Sequence, residues 1–329
     1  MRSKGIRISP GQAEEARRRL ASLGLLDRAL RIFTDGSTVV LPVTDYPAGH
    51  FQGEQCLADF AEKKMKEGYR EQARLPDELK KHLPSSFDVI GTKALLKLPK
   101  ELEGHEIELG EAILKANPSL DSVFVDSGVS GELRTRSVRA VAGTGETETV
   151  VVEYGLRFRL DVAKTFYSPR LASERRKVSS AILPGEKILD MFAGVGPFSL
   201  HAARKARTGH VVSLDINPYA VSYLKENAAM NNLGNVEAHM RDAFGFTGEK
   251  FDRIIMNLPS SSSEFLEHAA GLLLEDGAID YYELLEDSAV AGRKEFFHRL
   301  GLDSQSRRKV KSYSPVQGIY HFSLRKIIS

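Results

Sequence analysis

The sequence predicts an α/β protein whose C-terminal half forms a parallel sheet covered by helices on both faces. After residue 180, short apolar segments alternate with amphipathic segments of helical length, which is typical of such a sheet. A glycine-containing turn at 194–196 directly follows the first of these apolar segments. The chain has 329 residues, more than one hydrophobic core usually serves, so further domains are expected upstream.

Residues 1–70 predict a small N-terminal α/β module. Ser9 can cap a helix that begins at Pro10 and ends near Gly24. The apolar segments 29–33 and 38–43 flank Asp35-Gly36, a dipeptide that favours a tight hairpin turn. The dense charge of residues 61–85 predicts a helix, and a linker at 71–86 is expected to separate this module from the next domain.

Residues 87–162 predict an α+β domain, because strand-like pieces surround one helix-like segment in a mixed order. The strand-like pieces are 89–90, 94–98, 122–125, 149–154 and 157–162, and the helix-like segment is 111–116. Residues 163–329 then form the domain with the parallel sheet. Two strand-like stretches near its end, Arg307 to Tyr313 and Gly318 to Leu324, predict an antiparallel pair that closes this sheet.

Composition limits the class of protein. No apolar run approaches the roughly 18 residues that span a bilayer, and Met1 to Ile8 lacks the apolar stretch of a secretory signal. We therefore expect no membrane partner and a cytoplasmic location.

The single cysteine, Cys56, excludes an intramolecular disulfide. Because the net charge is only +2, a nucleic-acid partner depends on three local basic clusters, at 17–19, 170–177 and 307–311, each of which also fits an ordinary solvated surface.

The turn after the first strand of the C-terminal domain has the features of a nucleotide-binding loop. The strand 187–190 leads into Met191-Phe192-Ala193-Gly194-Val195-Gly196-Pro197, and a helix begins at Phe198. Two glycines let the backbone pass close to a ligand, where any side chain would collide. The same spacing occurs in dinucleotide-binding folds, so the loop alone does not separate NAD from S-adenosylmethionine.

Three acids at successive strand ends favour S-adenosylmethionine. Asp190 could hold a water or the positively charged amino end of this donor, whereas it would repel a pyrophosphate. Asp215 ends the strand 210–214 and could accept both ribose hydroxyls, as such an acid also does in NAD enzymes. Asp242, after the strand 235–240, could bond the adenine amino group. The alternative is that Asp190 and Asp215 only cap the turns that follow them.

The fourth strand, 251–256, ends in Asn257-Leu258-Pro259. Methyltransferases of class I that modify planar nitrogens often carry an Asn-Pro type of motif here, where an amide and backbone carbonyls grip the edge of a base. A simple turn residue is the alternative for Asn257. Together with the acids, this motif predicts a class I, Rossmann-like methyltransferase domain, preceded by the α+β domain and the N-terminal α/β module.

Taken together, these motifs resemble a known family. The segments 166–175 (FYSPRLASER), 190–198, 215–220 (DINPYA), 257–259 and 312–315 (SYSP) closely resemble the archaeal and eukaryotic tRNA guanine-37 N1-methyltransferases. The resemblance covers residues 87–329. Residues 1–70 match more loosely and look like the small domain with which archaeal members touch the outer corner of the tRNA. The resemblance implies S-adenosylmethionine as methyl donor and tRNA as substrate; we expect a monomer and no metal, since a sulfonium donor is already activated.

The resemblance also implies roles for individual residues. Guanine N1 must lose a proton before it attacks, and the family points to Glu174 as the general base. Negative charge then accumulates on O6, where the family favours Arg134, although a one-step misalignment would select Arg136. Phe166 would stack on the extruded base, and Asn257 would hold its edge. The predicted donor-binding residues are Asp190, Phe192, Ala193, Gly194, Gly196, Asp215, Ile216, Asp242, Ala243 and Asn257, and the predicted substrate-binding residues are Phe166, Arg136, Arg170, Arg175, Pro259 and Tyr313.

Several alternatives stay open at this point. Arg134 and Arg136 could be alternating strand residues that bind phosphate, Phe166 could be a core aromatic, and Arg170 could form a surface ion pair with Glu174. The serines at 260–263 depart from the commoner family pattern, so the target could also be a wyosine precursor or another RNA nitrogen. A non-catalytic RNA-binding protein with a vestigial donor pocket, and a nicotinamide dehydrogenase, are the other candidate functions.

Overall fold

The computed structural model describes residues 1–49, 51–62 and 68–327, and the chain divides into two compact units, Met1–Gly68 and Tyr69–Ser329. The first unit contains β1 (Arg2–Ile8), α1 (Pro10–Ser22), β2 (Phe33–Asp35), β3 (Thr38–Pro42) and β4 (Glu54–Asp59). Its sheet is antiparallel with the order β2-β3-β1-β4. Helix α1 packs Ala16 and Leu20 against Ile6 and Leu41, which gives this unit its own core.

The first unit confirms the predicted helix and the hairpin, although the first hairpin strand is Phe33–Asp35 and not 29–33, and it contains two strands, β1 and β4, that were not predicted. Gly36 has φ +60°, the left-handed conformation that the predicted Asp35-Gly36 turn requires. Strand β1 lies centrally between β3 and β4. Of the predicted charged helix at 61–85, residues 63–67 lie outside the described residues, and the described remainder holds only α2 (Tyr69–Gln72) and α3 (Asp77–Lys80).

The second unit begins with a small α+β layer. It contains α2, α3, β5 (Asp88–Ile90), β6 (Lys93–Leu96), α4 (Glu106–Ala116), β7 (Ser122–Ser130) and β8 (Thr135–Gly143). The sheet order is β5-β6-β7-β8, with β6 and β7 parallel and the outer pairs antiparallel. The segment 71–86, predicted as a linker, differs from that expectation, because Ala73, Leu75 and Leu83 are buried in the same core as Leu109 and Val123.

A separate two-stranded hairpin, β9 (Glu148–Glu153) and β10 (Leu156–Asp161), follows this layer. The side chain of Asn227 joins it to the C-terminal domain. The backbone N–H of Arg159 donates to Asn227 Oδ1 over 2.7 Å, and Asn227 Nδ2 donates to the carbonyls of Arg159 and Val195 over 3.0 Å each. The hairpin therefore packs on the C-terminal domain. It also contacts the preceding layer, to which residues 149–162 were predicted to belong, because the N–H of Thr92 donates to Thr149 Oγ1 over 3.0 Å and Leu160 shares a core cluster with Phe124.

The C-terminal domain is an open, twisted sheet covered on both faces. Its elements are α5 (Ala172–Ser180), β11 (Lys187–Asp190), α6 (Pro197–Ala206), β12 (His210–Asp215), α7 (Pro218–Met230), β13 (Val236–Met240), β14 (Phe251–Met256), α8 (Ser262–Leu272), β15 (Leu273–Glu286), α9 (Arg293–Arg299), β16 (Leu302–Ser314) and β17 (Gln317–Lys326). The strand order is β13-β12-β11-β14-β15-β17-β16. The first five strands run parallel, and β17 pairs antiparallel with both β15 and β16.

Alternate side chains of the central strands are buried on opposite faces of this sheet. Leu189 and Ile254 belong to a core cluster with helices α8 and α9, whereas Ile188 and Ile255 belong to a cluster with α5 and α6. This arrangement confirms the prediction of a parallel sheet covered on both faces and of a closing antiparallel pair. Within residues 1–49, 51–62 and 68–327, none of the helices has the length and hydrophobicity that crossing a membrane requires.

Candidate active site

A cavity of about 450 Å³ lies in the second unit, where the carboxyl ends of β11, β12 and β14 meet the loop after β7 and the segment before α5. Open α/β sheets bind ligands at this edge. Most of the predicted donor-binding residues line it, together with several of the predicted catalytic and substrate-binding residues: Arg134, Phe166, Phe192, Ala193, Gly194, Asp215, Ile216, Asp242, Ala243, Asn257 and Pro259. The structure therefore brings together residues that are up to 125 positions apart in the sequence (134 to 259). Of the predicted catalytic and donor-binding residues, Glu174, Asp190 and Gly196 are not among the lining residues.

Two glycines shape the turn between β11 and α6. Gly194 has φ +55° and lines the cavity. Gly196 has φ +88°, and a Cβ at this position would come within 2.7 Å of Leu200 Cδ1 and 2.9 Å of Leu224 Cγ. Since both glycines adopt left-handed backbone angles and Gly196 has no space for a side chain, the turn depends on glycine at these positions.

Asp215 shapes the same turn from the neighbouring strand. The backbone N–H of Gly194 donates to Asp215 Oδ2 over 2.7 Å, and the N–H of Asn217 donates to Oδ1 over 2.8 Å. Burial raises the pKa of Asp215, and these hydrogen bonds oppose the rise. Because each carboxylate oxygen can accept more than one hydrogen bond, Asp215 can still accept from a ligand in the cavity.

Asp190 is fully buried at the end of β11 and accepts a hydrogen bond from Ser199 Oγ over 2.7 Å. Its burial raises the pKa of the carboxyl to about 7. Its Oδ1 is buried and has no hydrogen-bond partner in the described part of the chain. An orphaned carboxylate oxygen under the glycine turn fits the predicted contact with a water or an ammonium group.

An aromatic wall, formed by Phe192, Phe244 and Phe265, stands beside the acid at the end of β13. Phe244 and Phe265 are stacked with ring centroids 4.0 Å apart, and Phe192 meets Phe265 edge-on at 5.0 Å. Asp242 lines the cavity next to this wall and accepts a hydrogen bond from the N–H of Phe244 over 2.9 Å. Neither Phe244 nor Phe265 was predicted as a site residue, and of the two only Phe265 lines the described cavity.

The structure separates Arg134 from Arg136. Arg136 is nearly buried and forms an ion pair with the buried Asp126, with Nη1 and Oδ2 2.5 Å apart. Arg134 lines the cavity, and its Nη1 donates to the hydroxyl of Ser260 over 3.0 Å. Burial lowers the pKa of Arg134, because desolvation disfavours its charged form. Arg134 is thus the arginine that faces the cavity.

Phe166 lies between these two arginines. Its ring is 5.5 Å from the guanidinium carbon of Arg134 and 5.4 Å from that of Arg136. Its carbonyl oxygen is 3.7 Å from where a Cβ on Gly194 would stand. Phe166 therefore lies at the junction of the glycine turn and the arginine side of the cavity, where a planar ring could stack on it.

Glu174 is buried in the first turn of α5, with its residue only 3% exposed. Its Oε1 accepts a hydrogen bond from Tyr282 Oη over 2.8 Å and forms an ion pair with Arg308. Its chain neighbour Arg175 lines the cavity. Glu174 itself is not among the residues that line the cavity, and its carboxylate already has partners within the protein.

The remaining predicted substrate residues divide into three cases. Arg170 pairs with Asp88 over 2.7 Å, and not with Glu174. Arg175 lines the cavity but forms a buried ion pair with Glu153. Tyr313 is 68% exposed on β16.

Ion pairs partly neutralise the predicted basic clusters as well. Arg17 and Arg18 pair with Glu14, and Lys309 pairs with Asp287. Over the residues that the structure describes, no group of His, Cys, Asp and Glu side chains could hold a metal ion.

The fold and the cavity first define the class of protein. Five parallel strands closed by an antiparallel pair, with acids at strand ends around a glycine turn, form a class I, Rossmann-like methyltransferase domain. The family follows from sequence comparison. The TRM5/TYW2 methyltransferase domain matches residues 149–304, the TYW2 N-terminal domain matches 71–147, and the tRNA methyltransferase 5 N-terminal domain matches 5–51.

Similarity to individual proteins extends over nearly the whole chain. The tRNA (guanine(37)-N(1))-methyltransferase Trm5b of Pyrococcus abyssi is 38% identical over 320 residues, which cover 95% of this chain and 96% of that protein. Its crystal structure matches with a TM-score of 0.76 at 36% identity, over 99% of this chain and all of that one. The chain belongs to the TRM5/TYW2 methyltransferase family, and the resemblance found in the sequence is confirmed.

Two further relatives illustrate the range of this family. A structure of aTrm5 in complex with tRNALeu matches with a TM-score of 0.73 at 29% identity, over 98% of this chain and 99% of that one. The tRNA(Phe) (4-demethylwyosine(37)-C(7)) aminocarboxypropyltransferase of Pyrococcus horikoshii is 32% identical over 260 residues, which cover 76% of this chain and 91% of that protein. The family therefore includes proteins named for two different group transfers.

Proposed function

We propose that this protein transfers a methyl group from S-adenosylmethionine to N1 of guanine 37 in tRNA. The observation that carries the proposal is the cavity, whose lining combines Arg134 and the Asn257-Leu258-Pro259 loop with the acids Asp215 and Asp242 and the glycine turn. The P. abyssi relative, which is similar over 95% of the chain, is named for this reaction. The tRNA complex of aTrm5 supports tRNA as the partner. A cytoplasmic location and a monomer are part of the same proposal.

The residues in the cavity fit S-adenosylmethionine. Asp215 would accept the ribose hydroxyls, and Asp242 would bond the adenine amino group beside Ile216 and Ala243. Asp190 is not among the lining residues, but it directly precedes the glycine turn, and its buried Oδ1 would reach the ammonium end through a water. When bound, this donor supplies a methyl group that its sulfonium already activates, so the chain needs to provide only binding, orientation and proton transfer.

The chain's own residues would then prepare the guanine. The Glu174 carboxylate would accept the N1–H proton, and the freed N1 lone pair would take the methyl group that the bound donor supplies, with the carbon–sulfur electrons staying on the sulfur. Arg134 would donate to O6, where negative charge accumulates as the proton leaves. Phe166 would stack on the base, with Asn257 at its edge and Pro259 shaping the pocket. For Glu174 to act, its ion pair with Arg308 must open as the base enters.

The N-terminal unit favours methyl transfer over aminocarboxypropyl transfer. The tRNA methyltransferase 5 N-terminal domain matches residues 5–51 of this chain. The P. abyssi methyltransferase matches 95% of the chain, whereas the P. horikoshii aminocarboxypropyltransferase matches 76%, although that match includes 91% of its own length. The chain thus matches nearly the full length of the two archaeal relatives named as methyltransferases, those of P. abyssi and Methanocaldococcus jannaschii.

Donors labelled at two positions test the proposal. We expect label from the methyl carbon of S-adenosylmethionine to enter a tRNA transcript with guanine at position 37, and no label from the carboxyl carbon to enter. A matched transcript with adenine at position 37 should take up neither. Incorporation of the carboxyl label would indicate aminocarboxypropyl transfer, and equal methyl incorporation into both transcripts would contradict guanine 37 as the target.

A further inference from the structure

A buried network of polar side chains lies behind the cavity and centres on Glu153, the last residue of β9. Arg175 Nε donates to Glu153 Oε1 over 2.8 Å, and its Nη2 donates to Oε2. Tyr167 Oη donates to Oε2 over 2.7 Å, and His201 Nε2 lies 2.9 Å from Oε1. Glu153 is only 5% exposed, so one carboxylate collects four polar contacts out of reach of bulk water.

The charge of Glu153 depends on this network. Burial on its own would raise the pKa of Glu153, but hydrogen bonds from Arg175 and His201, together with the charge of Arg175, lower it to about 2. A buried charge of this kind is tolerated only when its partners satisfy it, and removing one partner of such a pair is costly. Glu153 and Arg175 therefore hold each other in place.

Two of these contacts involve the sequence neighbours of residues to which we assigned catalytic roles. Tyr167 directly follows Phe166, and Arg175 directly follows Glu174. Arg175 Nη2 also donates to the carbonyl of Ser168 over 3.1 Å. The carboxylate of Glu153 thus ties both ends of the segment 166–175 to the hairpin, although Glu153 itself is not among the residues that line the described cavity.

We infer that Glu153 is a positioning residue for methyl transfer, because through Tyr167 and Arg175 it fixes where Phe166 and Glu174 stand relative to the cavity. This inference rests on the proposed function. A reacting group that is displaced by about 1 Å can lose about 100-fold in rate, so an error in this segment should appear in the transfer step. The adenosine-binding acids lie on β12 and after β13. Donor affinity should therefore change little.

The test is the isosteric substitution Glu153→Gln, measured as a single-turnover transfer rate with saturating donor and tRNA. We expect the rate to fall by about 10- to 100-fold, with the dissociation constant of the donor unchanged. Glu148→Gln is the matched control. Glu148 is on the same strand and accepts hydrogen bonds from Tyr223 and Arg159, which are outside the network, so its loss should leave the rate unchanged.

A double-variant comparison separates positioning from a general loss of structure. In the Glu174→Ala background, Glu153→Gln should lower the transfer rate by a much smaller factor than it does in the wild type, because the carboxylate that Glu153 positions is already gone. Equal fold-changes in both backgrounds, or an undiminished rate in Glu153→Gln alone, would overturn the inference. A full rate in Glu174→Ala alone would instead contradict the proposed general base. If Glu153→Gln does not fold, Tyr167→Phe removes a single hydroxyl, and it should lower the rate without altering donor affinity.

Discussion

Arg134 and Arg136 are separated by one residue, and the structure predicts opposite consequences for their loss. Arg134 contacts a serine hydroxyl and the ring of Phe166 at the cavity, whereas Arg136 neutralises the buried Asp126. Removing a donor that stabilises an oxyanion usually lowers the rate by about 100- to 1,000-fold, or about 2.7–4 kcal/mol. Arg134→Ala should therefore lose most of its transfer rate and keep most of its stability, since Arg134 contacts a serine hydroxyl and an aromatic ring and does not neutralise a buried carboxylate.

Arg136→Ala should show the reverse pattern. Breaking a buried ion pair leaves an uncompensated charge, here on Asp126, and costs about 3–5 kcal/mol. For a domain of this size, that loss corresponds to a decrease in Tm of about 10 °C. Lysine variants serve as controls that keep the charge. Arg134→Lys should recover part of the transfer rate that Arg134→Ala loses, and Arg136→Lys should recover part of the Tm that Arg136→Ala loses.

Single-turnover transfer rates and thermal unfolding curves for the four variants decide between these roles. The reasoning is refuted if Arg136→Ala loses its rate at unchanged Tm while Arg134→Ala keeps its rate. That result would assign O6 stabilisation to Arg136 and would make the pairing with Asp126 incidental.

Three further predictions concern the glycine turn and the buried acids. Gly196→Ala should lower the free energy of unfolding in urea by about 1–3 kcal/mol more than Gly248→Ala, because both positions have positive φ but only Gly196 lacks space for a Cβ. Folding raises the pKa of Asp190 from 3.8 to about 7, so the folded protein binds this proton more tightly than the unfolded chain does. The free energy of unfolding should therefore fall as the pH rises from 3.8 to 7. In urea titrations at several pH values, Asp190→Asn should flatten that dependence. Folding lowers the pKa of Glu153 from 4.5 to about 2, so its contribution to the free energy of unfolding is complete above pH 4.5 and is lost as the pH falls towards 2. Acid unfolding of Glu153→Gln, followed by circular dichroism, should lack this loss of stability between pH 4.5 and 2.

The parallel sheet was predictable because its strands are short apolar segments buried on both faces. Strands β11, β12 and β14 are such segments, and they match their predicted positions within one residue. Strands β1, β4, β8 and β15 were not predicted. Each carries charged, polar or small residues among its apolar ones, so none has the apolar density that identified the other strands.

The segment 71–86 shows a different limit of sequence patterns. Its charge and its prolines are typical of a linker, yet three apolar side chains bury it against α4. Burial of a few residues by tertiary contacts outweighs the local composition here. Such contacts depend on elements that are distant in the sequence, and no local pattern reveals them.

The cavity residues that could be predicted from the sequence are those at or just after the ends of strands. Asp215, Asp242 and Asn257 end strands or directly follow them, and the topology brings them to one edge. The two arginines could not be told apart, because what distinguishes them is the distant partner Asp126. The same is true of Arg175, whose buried partner Glu153 lies 22 positions away.

The identity of the modified nucleoside tests the central claim most directly. After reaction with a guanine-37 tRNA transcript, digestion to nucleosides and chromatography with mass detection should yield 1-methylguanosine as the only new nucleoside. Glu174→Ala should yield far less of it. A methyl group on another atom of guanine, or on a different nucleoside, would contradict the account of a carboxylate that removes the N1 proton beside the methyl donor.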